Sequence, residues 1–211
     1  CDWSSDVCSS DLDISFFNNL VSINYTYSRQ NVKDQIFEVP LASSTGSSSF
    51  MTNGGKIHTN AHELTVNINP IRLKNVDWNI GINWSKIDNY VDELAPGVES
   101  IFLGGFTTPQ VRAGIGDKFP VIYGVSYARD DNGNLIVDED GVPMAGKDDV
   151  IGKVSPDFIL GFNTNLRLWK FNISAVFDWK QGGQIYCGTN GLLDMYGVSK
   201  NTENQIGRAH V

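Results

Sequence analysis

Asp130, Asn132 and Asn134 stand at alternate positions in RDDNGNLIVDEDGV (129–142), the spacing with which three oxygen ligands open an EF-hand calcium loop. Such a loop needs Gly at its sixth position and Glu at its twelfth, and this chain has Leu135 and Gly141 there. A hairpin with turns at 131–134 and 139–141 accounts for the same letters, so a calcium site is the weaker reading. His58 and His62 would share one face of a helix, but in a strand residues four apart lie about 13 Å from each other, too far for one metal. GIGDK (114–118) lacks the Gly-Lys-Ser/Thr ending of a phosphate loop, and neither G-x-S-x-G nor H-E-x-x-H occurs. The residue types therefore point away from an enzyme and call for no cofactor. What remains is Trp84, Tyr90, Tyr123 and Tyr127, four aromatics able to stack on sugar rings, though aromatics near strand ends also serve as membrane-interface girdles.

The elements that carry these residues are strands. Five stretches alternate apolar and polar residues with a period of two, which gives each strand one apolar face. Val21, Ile23, Tyr25 and Tyr27 oppose Ser22, Asn24, Thr26 and Ser28; Leu64, Val66 and Ile68 oppose Glu63, Thr65, Asn67 and Asn69. Trp78, Ile80, Ile82 and Trp84 oppose Asp77, Asn79, Asn83 and Ser85. Leu160, Phe162, Leu166 and Leu168 oppose Asn163, Asn165 and Arg167, and Phe171, Ile173, Ala175, Phe177 and Trp179 oppose Asn172, Ser174, Asp178 and Lys180. The connections run to about thirty, six, seventy and two residues in turn. Short turns alternating with long loops are the mark of an outer-membrane barrel, with the short connections 70–75 and 169–170 periplasmic and the loops 30–60 and 86–157 extracellular. From Phe171 to Trp179 a tilted strand climbs about 20 Å, close to the 25 Å apolar band of such barrels. Pro70 is expected to close a strand, and the tracts 42–49 and 52–55, rich in Gly, Ser, Thr and Asn, are expected in the long loops.

Residues 1–12 (CDWSSDVCSSDL) and 206–211 (IGRAHV) stand apart from this pattern and resemble translated sequencing adapter. Setting them aside leaves Cys187 alone, which excludes a disulfide framework or a cysteine metal site. It also moves the net charge from −8 to −6 by removing three aspartates and one arginine. An acidic chain with sixteen Lys and Arg and no basic run is not built for nucleic acid. No run of eighteen apolar residues is present, which excludes a transmembrane helix but says nothing against membrane strands. The chain reads as an internal fragment.

The connecting segments add specificity. In order, 33–46 (KDQIFEVPLASSTG), 53–71 (NGGKIHTNAHELTVNINPI), 76–91 (VDWNIGINWSKIDNYV), 116–130 (GDKFPVIYGVSYARD) and 151–186 (IGKVSPDFILGFNTNLRLWKFNISAVFDWKQGGQIY) resemble the C-terminal barrel region of SusC/RagA-type TonB-linked outer-membrane proteins. The resemblance covers 13–205. Two turns depart from it: Thr59-Asn60-Ala61 stands where the family favours Asn-x-Gly, and Gly116, Lys118 and Pro120 where it favours Gly-x-Pro-x-Gly. The resemblance implies an all-β, antiparallel transmembrane β-barrel of 22 strands, of which this chain holds about five, in the outer membrane of a Gram-negative cell. It implies active import of bulky nutrients, oligosaccharides or peptides, together with a SusD-like lipoprotein. It also implies energy from the TonB system, contacted through an N-terminal region missing here along with the plug domain. Outer-membrane lipid and a glycan or peptide cargo are the remaining partners expected. Two other functions fit the strand pattern alone: a non-transporting outer-membrane barrel (adhesin or structural), and a soluble carbohydrate-binding β-sandwich that buries its aromatic face between two sheets.

Overall fold

The computed structural model describes residues 5–41, 43–47, 49–105 and 108–203. It contains ten strands: β1 Ser5–Phe16, β2 Val21–Pro40, β3 Ser49–Arg72, β4 Val76–Glu93, β5 Ser100–Gly105, β6 Gln110–Gly114, β7 Val121–Tyr127, β8 Ala145–Lys153, β9 Pro156–Leu168 and β10 Phe171–Gly182. A short helix, α1 (Gly188–Met195), follows. Six strands form one antiparallel sheet in the order β1-β2-β3-β4-β9-β10, and β5 to β8 form a second, four-stranded meander. No described helix is long and apolar enough to cross a membrane.

The period-two patterns become rows across the large sheet. Leu12, Tyr25, Leu64, Trp84, Leu160 and Trp179 lie side by side, and the next row is Ile14, Ile23, Val66, Ile82, Phe162 and Phe177. A third row holds Phe16, Val21, Ile68, Ile80, Thr164 and Ala175. Thr164 is the polar interruption in this band, and it accepts a hydrogen bond of 2.9 Å from the Trp78 indole, so neither group is left unsatisfied. Among the described residues nothing covers the band on β10, where Phe171, Phe177 and Trp179 are 70%, 63% and 55% exposed. A soluble sandwich would bury these side chains against a second sheet.

The opposite face carries Asn24, Thr65 and Asn83 in one row and Ser22, Asn67 and Asn163 in the next. Gly81 lies between Asn67 and Asn163, and a Cβ there would come within 2.5–2.9 Å of the Asn163 amide group. Its lack of a side chain is what lets that amide lie against the sheet.

Three short turns, 17–20, 73–75 and 169–170, fall at one end of the large sheet, and the connections 41–48 and 94–155 at the other. The expected asymmetry of connections is present, but several elements differ from the sequence reading. Residues 5–12 are not apart from the sheet: they form most of β1 as its edge strand, since backbone pairing needs only an extended chain. Residues 1–4 and 206–211 lie outside the described residues. The loop 30–60 is largely a continuation of the β2–β3 ladder, and 86–157 contains the top of β4 and the whole second sheet. Pro70 does not end β3; it sits at the irregularity between Ile68 and Ile71, where a residue without an N–H is tolerated. Residues 52–55 belong to β3, where Gly55 lies directly under the Phe37 ring and Gly54 against Ala95.

Where the extended hairpin meets the second sheet there is a conventional core of Phe37, Val91, Leu94, Ile101 and Ala113, with Ile57, Val98 and Phe119 packed on it. Ile57 and Val91 are partners in the β3–β4 ladder and share the face that carries Thr65 and Asn83 lower down. The face that is polar in the body of the sheet is thus the apolar one at this end.

Candidate functional site

The two faces of the large sheet and the cap made by the second sheet are the surfaces that could act. The Asn-rich face offers amide and hydroxyl groups, with charged residues of both signs among them: Asp13, Glu63, Asp77, Asp178, Arg167 and Lys180. Asn79 donates to Asn69 at 2.7 Å, and Arg167 lies 3.9 Å from Asp77 near the short-turn end. Such a wall can hydrogen-bond a polar solute while the face behind it stays apolar.

The four aromatics singled out by sequence are not brought together. Trp84 belongs to the apolar row between Leu64 and Leu160. Tyr90, further up the same face of β4, stacks on His58 with ring centroids 5.3 Å apart and 19° between planes, and the Lys118 ammonium lies 5.7 Å from its centroid. Both sit on the face away from the Asn-rich wall. Tyr123 is occupied on one side by the Arg112 guanidinium, 4.6 Å from its ring centroid, and its hydroxyl donates to the Asp148 carbonyl at 3.1 Å. Tyr127 alone offers a largely open ring; it lines a shallow cavity with Val125, Ser126, Arg129, Pro143 and Ala145.

Asp130, Asn132 and Asn134 do come together, as a turn. One Asp130 carboxylate oxygen accepts the backbone N–H groups of Asn132 at 2.9 Å and Asn134 at 2.8 Å, and the other accepts the Asn134 side-chain amide at 3.1 Å. The Asn134 side chain, with the backbone donors, holds the Asp130 carboxyl below its usual range. Eight residues on, Asp138 repeats the device on Asp140 and Val142, with Gly133 and Gly141 both at positive φ. The turn reading accounts for this run: both Asp130 oxygens and one of Asp138 accept hydrogen bonds within their own turns. Among the described residues there is no group of three His, Cys, Asp or Glu placed to hold a metal. His58 and His62 have separate partners: His58 Nδ1 lies 2.7 Å from Asp92, and His62 Nδ1 is bonded at 2.8 Å to the Tyr25 hydroxyl.

Sequence reasoning missed the ionic group at the top of β4. Lys118 lies 2.5 Å from Asp88, and Lys86 lies 3.4 Å from the other oxygen of that carboxylate. The hydrogen bond to Asp88 raises the Lys118 pKa against the opposing effect of burial. No local pattern joins positions 88 and 118; the link is the pairing of 117–119 with 89–91.

No family model matches the chain. It is 27% identical over 221 aligned residues, 92% of its length, to TonB-dependent receptor P3 of Formosa agariphila, and 28% identical over 83% of its length to TonB-dependent receptor P26 of the same organism. The chain is thus similar over most of its length to curated TonB-dependent receptors. It spans about a fifth of the length of these curated relatives. Among solved structures, the RagAB peptide transporter matches 84% of the chain and 21% of its own with a TM-score of 0.69 at 19% identity. The RagAB peptide importer in its open-open state matches 85% and 20% with a TM-score of 0.67 at 19% identity. At that identity the likeness is one of fold: the antiparallel strands described here match part of the fold of those transporters, and they do not close into a barrel.

Proposed function

We propose that this chain is part of the wall and extracellular cap of an outer-membrane TonB-dependent active transporter that imports bulky nutrients, oligosaccharides or peptides, together with a SusD-like lipoprotein. The observation that carries the reading is the register-matched separation of the large sheet into an apolar face and an Asn-rich face, with all three short turns at one end. In this reading the apolar rows meet lipid, the Asn-rich rows line the lumen, and the short turns are periplasmic. The homology to TonB-dependent receptors supports energy coupling through TonB, supplied by parts of the parent protein beyond this chain. The RagAB neighbours, described as a peptide transporter, support peptide as one cargo class. The test is topological. In the parent protein in intact cells, cysteine at Asn132 should react with a membrane-impermeant maleimide and cysteine at Lys74 should not; the opposite result removes the proposed orientation.

A further inference from the structure

The apolar band ends abruptly. Immediately beyond the row containing Tyr25, Leu64 and Trp84, the same face of the same three strands carries Tyr27, His62 and Lys86 side by side, and the row after that carries Arg29, Asn60 and Asp88. Two tyrosines prepare the donors in these rows. The Tyr27 hydroxyl donates to Oδ1 of Asn60, which leaves the Asn60 amide N–H groups available, and the Tyr25 hydroxyl occupies Nδ1 of His62, which leaves Nε2. Arg29 is exposed. Asp88 is the acid facing this group, and Lys118 lies closer to it (2.5 Å) than Lys86 does (3.4 Å). The Lys86 ammonium, with three donors and its side chain 44% exposed, therefore keeps hydrogens for an outside acceptor. His58, one row further, is paired with Asp92 beyond it.

We infer that Arg29, Asn60, His62 and Lys86 form a binding site for the phosphate headgroup of a membrane amphiphile whose chains lie on the apolar band directly below. The occupant follows from continuity and charge. A ligand here has to present an anion to two cations and two neutral donors while its other end rests on Tyr25, Leu64 and Trp84. An amphiphile with a phosphate head does both, and a soluble anion uses only the upper half. Cations placed next to lipid-covered surface attract such headgroups, each contributing roughly fivefold in affinity. The inference rests on the reading of the apolar band as lipid-covered.

The full-length parent protein, reconstituted in phosphatidylcholine nanodiscs with a minority of phosphatidic acid, is extracted in mild neutral detergent and its retained lipids counted by native mass spectrometry. The wild type is expected to retain phosphatidic acid in preference to phosphatidylcholine. Arg29→Gln with Lys86→Gln should reduce that preference by roughly 25-fold, and Lys74→Gln at the other end of the sheet should leave it unchanged. Asn60→Asp, which removes no cation, should weaken it as well. Circular dichroism of each variant shows whether the barrel has formed, and Arg29→Lys with Lys86→Arg should keep both barrel and preference. An unchanged preference in the double Gln variant, or no preference in the wild type, overturns the site. Loss of retained phosphatidic acid in millimolar inorganic phosphate also overturns it, by identifying a free-anion site. A wild-type protein that fails to enter the nanodisc at all overturns instead the lipid-facing reading on which the site rests.

Discussion

Along β4 the side of the strand that is apolar changes without a break in register. In the body of the sheet Trp78, Ile80, Ile82 and Trp84 face one way, over Asn79, Gly81 and Asn83; at the top, Tyr90 and Asp88 face that way and Val91 is fully buried on the other. β3 makes the same change between Leu64 and Ile57. A single extended strand thus passes from an inside-out arrangement, apolar toward the surroundings, to the ordinary one of a water-soluble core. On the proposed function, what changes is the solvent. Where hydrocarbon surrounds the sheet, an outward Ile costs nothing and an outward charge is expensive; where water surrounds it, burying Val91 or Ile101 contributes about 1.5–3 kcal/mol each. On the proposed function, the level of the reversal, between Trp84 and Asp88, is the edge of the membrane on this face.

The strongest way to break this comparison is to place a charge on the apolar face at each side of the reversal. Val91→Asp buries an unpaired carboxylate in the cap core and should cost about 3–5 kcal/mol, opening the cap to proteases added to intact cells while the barrel still assembles. If the barrel itself were lost, the two regions could not be separate in the way the reversal implies. Next in size is Phe177→Arg, on the lipid side of β10, at about 2–4 kcal/mol, read as less folded barrel in the outer membrane. Ser174→Arg, on the Asn-rich side of the same strand, should be tolerated, and equal losses from the two would cancel the assignment of faces. A finer probe is Thr164→Val, which strands the Trp78 indole N–H in the band. A double-mutant cycle with Trp78→Phe should return a coupling of about 0.6–1.7 kcal/mol, and a value near zero would mean that water reaches that row.

The smallest effect belongs to the cap's surface. The Asp130 carboxyl titrates below its usual range because it accepts hydrogen bonds from Asn134 and the local backbone. A depressed carboxyl stabilises its turn above the unfolded-state pKa, and that contribution is lost as the pH falls through the folded-state value. Hydrogen exchange over 128–144, corrected for intrinsic rate, should therefore accelerate below about pH 4 in the wild type and be insensitive to this range in Asp130→Asn.

The same contrast explains what could be read from the sequence. Five strands were legible with their faces because there each strand separates an apolar from a polar environment, and the period of two records that directly. β3 and β4 lose the phase of their pattern where the environments exchange, so the ladder pairing Val32 with Ile57 and Phe37 with Thr52 looked like loop. Gly54 and Gly55 resembled turn residues, yet they are strand positions on which Ala95 and the Phe37 ring pack. The second sheet is made of short strands such as SIFLGG and QVRAG, too brief for any period to be distinguished from chance. Among the aromatics, type alone could not tell that Trp84 belongs to the apolar row while Tyr127 lines an open cavity. The ionic group around Asp88 depends on a partner thirty positions away, which no local pattern announces.

The second sheet also bears on how quickly the large one can form. Between the end of β4 and the start of β9 lie 62 residues, and pairing those two strands directly would require closing a loop of that length. The cap removes most of it first: 117–119 bond to the top of β4, Val154 donates to the Pro120 carbonyl at 3.3 Å, and Val121 pairs with Lys153. Once that meander has formed, the start of β9 is delivered beside β4 through a path of roughly ten residues, which lowers the closure entropy by roughly 1.5 kcal/mol, about tenfold in rate if it is paid before the transition state. The cap is in that sense a kinetic clasp, converting the most distant strand pairing among the described residues into a nearly local one.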